Sequence, residues 1–255
     1  MSERVVVVTG GTKGIGRAIA TGFLDAGAKV VVGARSDPDT PPRGGAGDAR
    51  FIPADVTNPD SAQALIRATV EIHGRVDILV NNAGGTSAHE AATVRAESVR
   101  KIVELNLVAP LFVAQAANAV MQEQPEGGQI VNIGSVAAQR PAPGTAVYAA
   151  AKAGLTNLTR ALAIEWAPKV RVNQVTVGLV QTPGSARHYG GEVGIAAVND
   201  TVPLGRMATP EDIAAACLML TTPHGSYVTG AELVVDGGGQ RPTWLEAMRS
   251  ATTSS

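Results

Sequence analysis

Cysteine is nearly absent. Cys217 is the only one in 255 residues, so no internal disulfide can form and a reducing compartment, the cytoplasm, is expected. It lies in the apolar run Ala214–Leu220, where a buried structural thiol is the ordinary reading. The chain also lacks a leader-like start: Met1-Ser2-Glu3-Arg4 runs directly into Val5-Val6-Val7-Val8, with no small-residue cleavage site. No stretch approaches ~18 uninterrupted apolar residues, so no membrane-spanning helix is expected. Charge of one sign is missing as well. With 21 basic and 22 acidic residues and a net charge of −1, nothing favours nucleic acid or an anionic membrane as partner. The four histidines (His73, His89, His188 and His224) are scattered without ligand-like spacing, so no metal is expected. Aromatics make up 3% against 45% hydrophobic residues overall, so the core must be built from Val, Ile, Leu and Ala. Such a core suits a parallel sheet buried on both faces.

What is present supports that fold. Strand-like runs at 5–9, 29–33, 50–52, 76–80, 129–133, 170–176 and 233–235 alternate with helix-period stretches near 15–26, 60–73, 97–122, 146–166 and 210–221. Ala151, Leu155, Leu158 and Leu162 step by four, three and four, the spacing of one helix face. The alternation predicts an α/β fold of the Rossmann type, a doubly wound parallel β-sheet of about seven strands flanked by helices on both faces. One domain is expected over 1–240, followed by a tail at 241–255. Residues 36–47, rich in Pro, Gly and Asp, read as an exposed loop, and 183–205 read as an irregular segment able to cover a substrate.

The first strand runs into Gly10-Gly11-Thr12-Lys13-Gly14-Ile15-Gly16 and then a helix. Glycines let a pyrophosphate approach the backbone, and the free amides of the helix N-terminus face the anion. The Gly-x3-Gly-x-Gly spacing differs from Gly-x-Gly-x-x-Gly, and such a turn alone also fits simple tight turning. The second strand ends in Gly33-Ala34-Arg35-Ser36, without the carboxylate that binds ribose hydroxyls. Arg35 and Lys13 could meet a 2′-phosphate, which favours NADP(H). Both could equally be solvated charges, and Asp37 could contact a ribose instead, leaving NAD(H) as the alternative.

Ser135 follows the fifth strand run, and Tyr148 and Lys152 stand four apart in a helical stretch. Positions i and i+4 share a face, so the ammonium sits one turn from the phenol. At roughly 5 Å and an effective dielectric near 20, the attraction is ~3 kcal/mol. That is about two pKa units, enough to bring a phenol towards neutrality if it outweighs desolvation. Ser135 could then hold a substrate oxygen against the phenol.

Taken together, Thr9 to Gly16, Asp55-Val56, Asn81-Asn82-Ala83-Gly84, Asn106, Ser135 and Tyr148-x3-Lys152 resemble the single-domain short-chain dehydrogenase/reductases over almost the whole chain, including 3-oxoacyl-[acyl-carrier-protein] reductases. The resemblance implies Tyr148 as acid/base in hydride transfer between a ketone and a secondary alcohol. It implies Lys152 as its modulator and a ribose contact, Ser135 as carbonyl-orienting, and Asn106 as the holder of a water linking Lys152 to solvent. It further implies cofactor contacts at Gly10, Thr12, Lys13, Gly14, Ile15, Gly16, Asp55, Val56, Asn82, Ala83, Gly84, Tyr148, Lys152, Gly178, Val180 and Thr182. One departure is Val177-Gly178, where relatives commonly carry Pro-Gly. Assembly as a homotetramer, or a dimer, is another implication. The expected substrate wall (85–92, 136–144 and 183–202) is small and apolar, with Arg140, Arg187 and His188 as candidate anion contacts. A 3-oxoacyl thioester and a hydroxysteroid or other alicyclic alcohol both suit it. The rival reading is a cofactor sensor without catalysis, which would have no need of all four residues Asn106, Ser135, Tyr148 and Lys152.

Overall fold

The runs of β-branched residues form strands because both faces of the sheet are covered. Val6, Val8, Val30 and Val32 point into one core cluster and Val7 and Val31 into the other, all almost without solvent contact. The structure is a computed structural model and describes all residues except 2, 141, 183–184, 186–188, 241–247 and 249–255. The strands are β1 (Val5–Thr9), β2 (Lys29–Ala34), β3 (Arg43–Gly44), β4 (Gly47–Asp48), β5 (Arg50–Pro53), β6 (Ile78–Asn81), β7 (Gly128–Ser135), β8 (Val170–Val177) and β9 (Glu232–Val235). The helices are α1 (Gly14–Asp25), α2 (Pro59–His73), α3 (Ala96–Val103), α4 (Ala109–Glu123), α5 (Ala146–Glu165), α6 (Gly191–Thr201) and α7 (Pro210–Thr221).

Seven strands form one sheet in the order β5-β2-β1-β6-β7-β8-β9, every pair parallel. This is the doubly wound sheet expected from the alternation. Ile19 and Phe23 of α1 and Ile213 and Cys217 of α7 fill one face. Leu65 of α2, Val113 and Ala117 of α4 and Leu162 of α5 fill the other. The chain direction across the sheet reverses between β1 and β6, which opens a crevice at the strands' carboxyl ends.

Four local features differ from the sequence reading. β6 begins at Ile78 because Val76 gives both backbone groups to the Gln124 side chain, at 2.9 Å each. The stretch 97–122 is not one regular helix: a π-helical turn, Glu104–Val108, separates α3 from α4. The 36–47 loop contains β3, which pairs antiparallel with β4 at the loop's end. The 183–205 segment contains a helix, α6. Met248 apart, the tail at 241–255 lies outside the described residues.

Ala96–Glu123 is long and apolar enough to cross a membrane by length and composition, with 33% of its most apolar window buried in the single chain. The buried part, including Val113, Ala117 and Met121, lies on the sheet.

A buried acid anchors the starts of the central strands β1 and β6. Asp77, 1% exposed, accepts the Val5 N–H at 2.7 Å and is gripped by the Arg75 guanidinium at 2.6–3.0 Å. Asp77→Asn keeps an acceptor for Val5 but removes the charge from the Arg75 bonds. The variant is expected to be about 2 kcal/mol less stable, read from urea unfolding with an unchanged m-value.

Candidate active site

The crevice is a cleft of about 1340 Å³, and the sequence-derived cofactor positions converge on it. Gly10, Thr12, Lys13, Gly14, Ile15, Gly16, Arg35, Asp55, Val56, Asn82, Ala83, Gly84, Gly178, Val180 and Thr182 all line it, together with Ser135, Tyr148 and Lys152. Asn106 does not; it stands behind Gly84 and Gly85. Asn81, read as part of the same stretch, is instead buried and donates to the Pro110 carbonyl and to Asn132 Oδ1.

The glycine-rich turn is held from beneath. Thr9 Oγ1 accepts the N–H groups of Asn82 and Ala83 at 3.0 Å, and the Asn82 amide donates to the carbonyls of Thr9 and Gly10. A Cβ on Gly16 would lie 2.3 Å from the Gly10 carbonyl oxygen, so only glycine lets α1 start this close to the turn. Above the turn, Gly14 faces open space. An α-helical N-terminus aimed into a roomy cleft, with Lys13 beside it, fits a diphosphate.

At the adenosine-sized end, Asp55 Oδ1 accepts from the Thr57 N–H and hydroxyl, which holds its carboxyl below the usual range. Asn58 Oδ1 caps α2, while Asp55 braces its own turn. Arg17 was not singled out from the sequence. Its guanidinium donates to the carbonyls of Thr40 (2.9 Å) and Pro41 (3.2 Å), tying the 36–42 loop to α1 so that Ser36 to Thr40 become cleft wall. Residue type carries no signal for this, because the acceptors are backbone carbonyls.

At the other end, α5 presents Tyr148 and Lys152 one turn apart, with the Lys152 Nζ 5.8 Å from the ring centroid. Ser135, at the end of β7, is close enough to the Tyr148 side chain to favour its ionised form. Lys152 is 4% exposed and donates to the Ile133 carbonyl at 2.8 Å. Burial pushes its ammonium down to about 8. Burial also raises the Tyr148 phenol, and the Ser135 hydrogen bond lowers it by less. The condition that the cation outweigh desolvation is therefore not met by these side chains alone.

Asn106 sits in the π-helical turn, fully buried. Its Oδ1 accepts the Gly85 N–H at 2.9 Å, and its Nδ2 donates to the carbonyls of Gly85 and Ile102, both at 2.9 Å. π-turns of this kind occur often at functional sites. Here the turn points an amide at the backbone that borders the lysine: the place where a Gly84 Cβ would sit is 3.0 Å from Asn106 Oδ1 and 3.3 Å from Lys152 Nζ.

The departure at Val177 is absorbed by the sheet. β8 continues through it, pairing with Ser135 and Val235, and the next residue donates its N–H to the Val235 carbonyl. A Cβ on Gly178 would come within 2.6 Å of Asp236 Cβ, so that glycine serves packing as well as the cleft. Val180 bridges to Ala208, and the Thr182 N–H donates to Ser185 Oγ at 2.7 Å. Arg187 and His188 lie outside the described residues. Arg140 is not a free cation, since its guanidinium pairs with Asp236.

A parallel seven-stranded sheet, a glycine turn at its crevice and a Ser-Tyr-Lys group at the cleft's other end define a dinucleotide-dependent oxidoreductase. The comparisons agree: the family described as enoyl-(acyl carrier protein) reductase matches residues 10–240. The 3-oxoacyl-[acyl-carrier-protein] reductase of Vibrio cholerae is 37% identical, over 93% of this chain and 98% of the relative. The 3beta-hydroxysteroid dehydrogenase 1 of Eggerthella lenta is 36% identical over 93% and 94%. The ligand-free aldohexose dehydrogenase of Thermoplasma acidophilum superposes with a TM-score of 0.86 at 32% identity, over 93% and 94% of the two chains. The chain belongs to the short-chain dehydrogenase/reductase family. It is an oxidoreductase acting on CH–OH groups, in a family that uses NAD(H) or NADP(H).

Proposed function

We propose that the protein interconverts a ketone and a secondary alcohol, with NADP(H) preferred and Tyr148 as the acid/base. The observation that carries this reading is the convergence of Ser135, Tyr148 and Lys152 on the cleft that begins at the glycine turn. When bound, the nicotinamide supplies or accepts the hydride. Ser135 holds the substrate oxygen against the Tyr148 hydroxyl, which gives up its proton in reduction and takes one in oxidation. Ribose hydroxyls in the cleft would give Lys152 Nζ further acceptors and keep its charge to higher pH. Asn106 fixes the backbone beside that ammonium and holds the water that links it to solvent. A 3-oxoacyl thioester and a hydroxysteroid or other alicyclic alcohol both suit the apolar walls. One domain, 1–240, would carry the whole reaction, with α6 in the segment that covers the substrate. The unburied side of α4 supports a subunit contact there, in a cytoplasmic homotetramer or dimer.

The cofactor preference rests on Arg35 and Lys13 in the cleft wall. Titration with NADPH and NADH, followed by nicotinamide fluorescence, is expected to give tighter NADPH binding. Arg35→Ser should weaken NADPH about tenfold and leave NADH within about twofold, since one charge-assisted phosphate contact accounts for the difference. Tighter NADH binding by the unmodified protein would sink the preference and move the ribose contact to Asp37.

A further inference from the structure

A second cavity, of about 220 Å³, adjoins the cleft at Ser135 and Gly178, the point where the proposed reaction places the substrate oxygen. Val136, Ala137, Leu179 and Val202 supply apolar walls, and Arg140 and Asp236 supply polar atoms. Three successive glycines in left-handed backbone, Gly237 to Gly239, turn the chain past this cavity. They bring it so close that a Cβ on Gly239 would lie 2.7 Å from Arg140 Nη1. The Arg140–Asp236 pair is semi-enclosed, with side chains 39% and 11% exposed.

The pair's bonding decides what it can read. Asp236 Oδ2 takes the Arg140 Nη2, and Oδ1 takes the Gly238 N–H at 3.1 Å, so both carboxylate oxygens are engaged. Arg140 still has N–H groups to offer, yet its charge is already balanced. An incoming carboxylate would have to share one guanidinium with Asp236, and like-charge repulsion disfavours that. A neutral acceptor, such as an amide or ester carbonyl or a hydroxyl, meets no such penalty. At the ~30 Å³ that a water molecule occupies, the chamber holds about seven non-hydrogen atoms.

We propose that this chamber is the substrate subsite, and that the Arg140–Asp236 pair selects ketones bearing a neutral hydrogen-bond acceptor over those bearing a carboxylate. The inference rests on the reading of Ser135 given above. It also replaces the expectation that Arg140 contacts an anion.

The test uses the holoenzyme with NADPH and matched amides and acids of 3-oxobutanoic, 4-oxopentanoic and 5-oxohexanoic acid. At the best chain length the amide is expected to exceed the acid about tenfold or more in kcat/KM. Asp236→Asn keeps the Gly238 bond but frees the guanidinium, and should shift the amide-to-acid ratio about tenfold towards the acid. Arg140→Met should raise KM for the amide about tenfold more than it raises KM for 2-pentanone. A ratio unmoved in Asp236→Asn, a native preference for the acid, or no amide reduced at any length would each overturn the proposal. The underlying reading fails separately, through loss of dinucleotide binding or full activity in Tyr148→Phe.

Discussion

Tyr148→Phe is expected to lower kcat by ~10²–10⁴, the usual contribution of a positioned acid/base. The removed hydroxyl faces Ser135, and the ring remains to fill its place on α5. Fold and dinucleotide affinity should therefore persist, with Tm within a degree or two of the parent and fluorescence titrations superimposable. Steady-state assays on any accepted ketone check the first part. Retention of more than a tenth of the parent kcat would remove Tyr148 from the proton-transfer role and leave the sensor reading as the stronger one.

Lys152→Met is expected to make the protein slower and more stable at once. An ammonium about 6 Å from the phenol is worth ~3 kcal/mol at an effective dielectric near 20, so the rate should fall ~10²-fold. The stability gain follows from burial. Lys152 titrates at about 8 in the folded protein against 10.5 for the free side chain. Below pH 8 both states hold the proton, and the folded state bears the cost of a buried charge. Between pH 8 and 10.5 the folded chain releases the proton while the unfolded chain keeps it, so stability rises with pH by about 3 kcal/mol. Methionine removes the charge at every pH but forfeits the bond to Ile133, worth about 1 kcal/mol. The net gain near pH 7 is about 2 kcal/mol, and this contribution to the rise between pH 8 and 10.5 should vanish. Urea unfolding at pH 7 and pH 9.5 tests both points; a destabilised variant with the same pH dependence as the parent would refute the account. A destabilising residue kept at a cleft is the pattern expected where stability is traded for function.

Periodicity and local chemistry made most of the architecture legible. The valine runs of β1 and β2 are buried on both faces, and α2 falls on the 60–73 stretch that the helical period marks. The cleft-lining residues were legible because each lies at a strand end or a helix start, which the sheet topology brings to one crevice. What escaped depended on partners distant in sequence or on backbone. Val76 left its strand for Gln124, 48 positions away. Arg17 reaches carbonyls more than twenty positions on, which any loop could offer. Arg140 meets Asp236 across 96 positions, and neither neighbourhood signals the other. The balance at Tyr148 stayed open in the sequence because pairwise attraction can be read from spacing, whereas burial cannot.

The π-helical turn has a consequence for how this gene can change. Its ring, closed by the Ala109 N–H on the Glu104 carbonyl, contains one residue more than a regular turn. Deleting any one of residues 104–108 would leave an unbroken α-helix and would rotate α3 by about 100° against α4. Ile102 and Asn106 could not then both keep their places while Val113 and Ala117 stayed on the sheet. Single-residue length changes should thus be far less tolerated at 104–108 than in the 36–47 loop. Drift in this stretch would proceed by substitution, with the residue count held fixed.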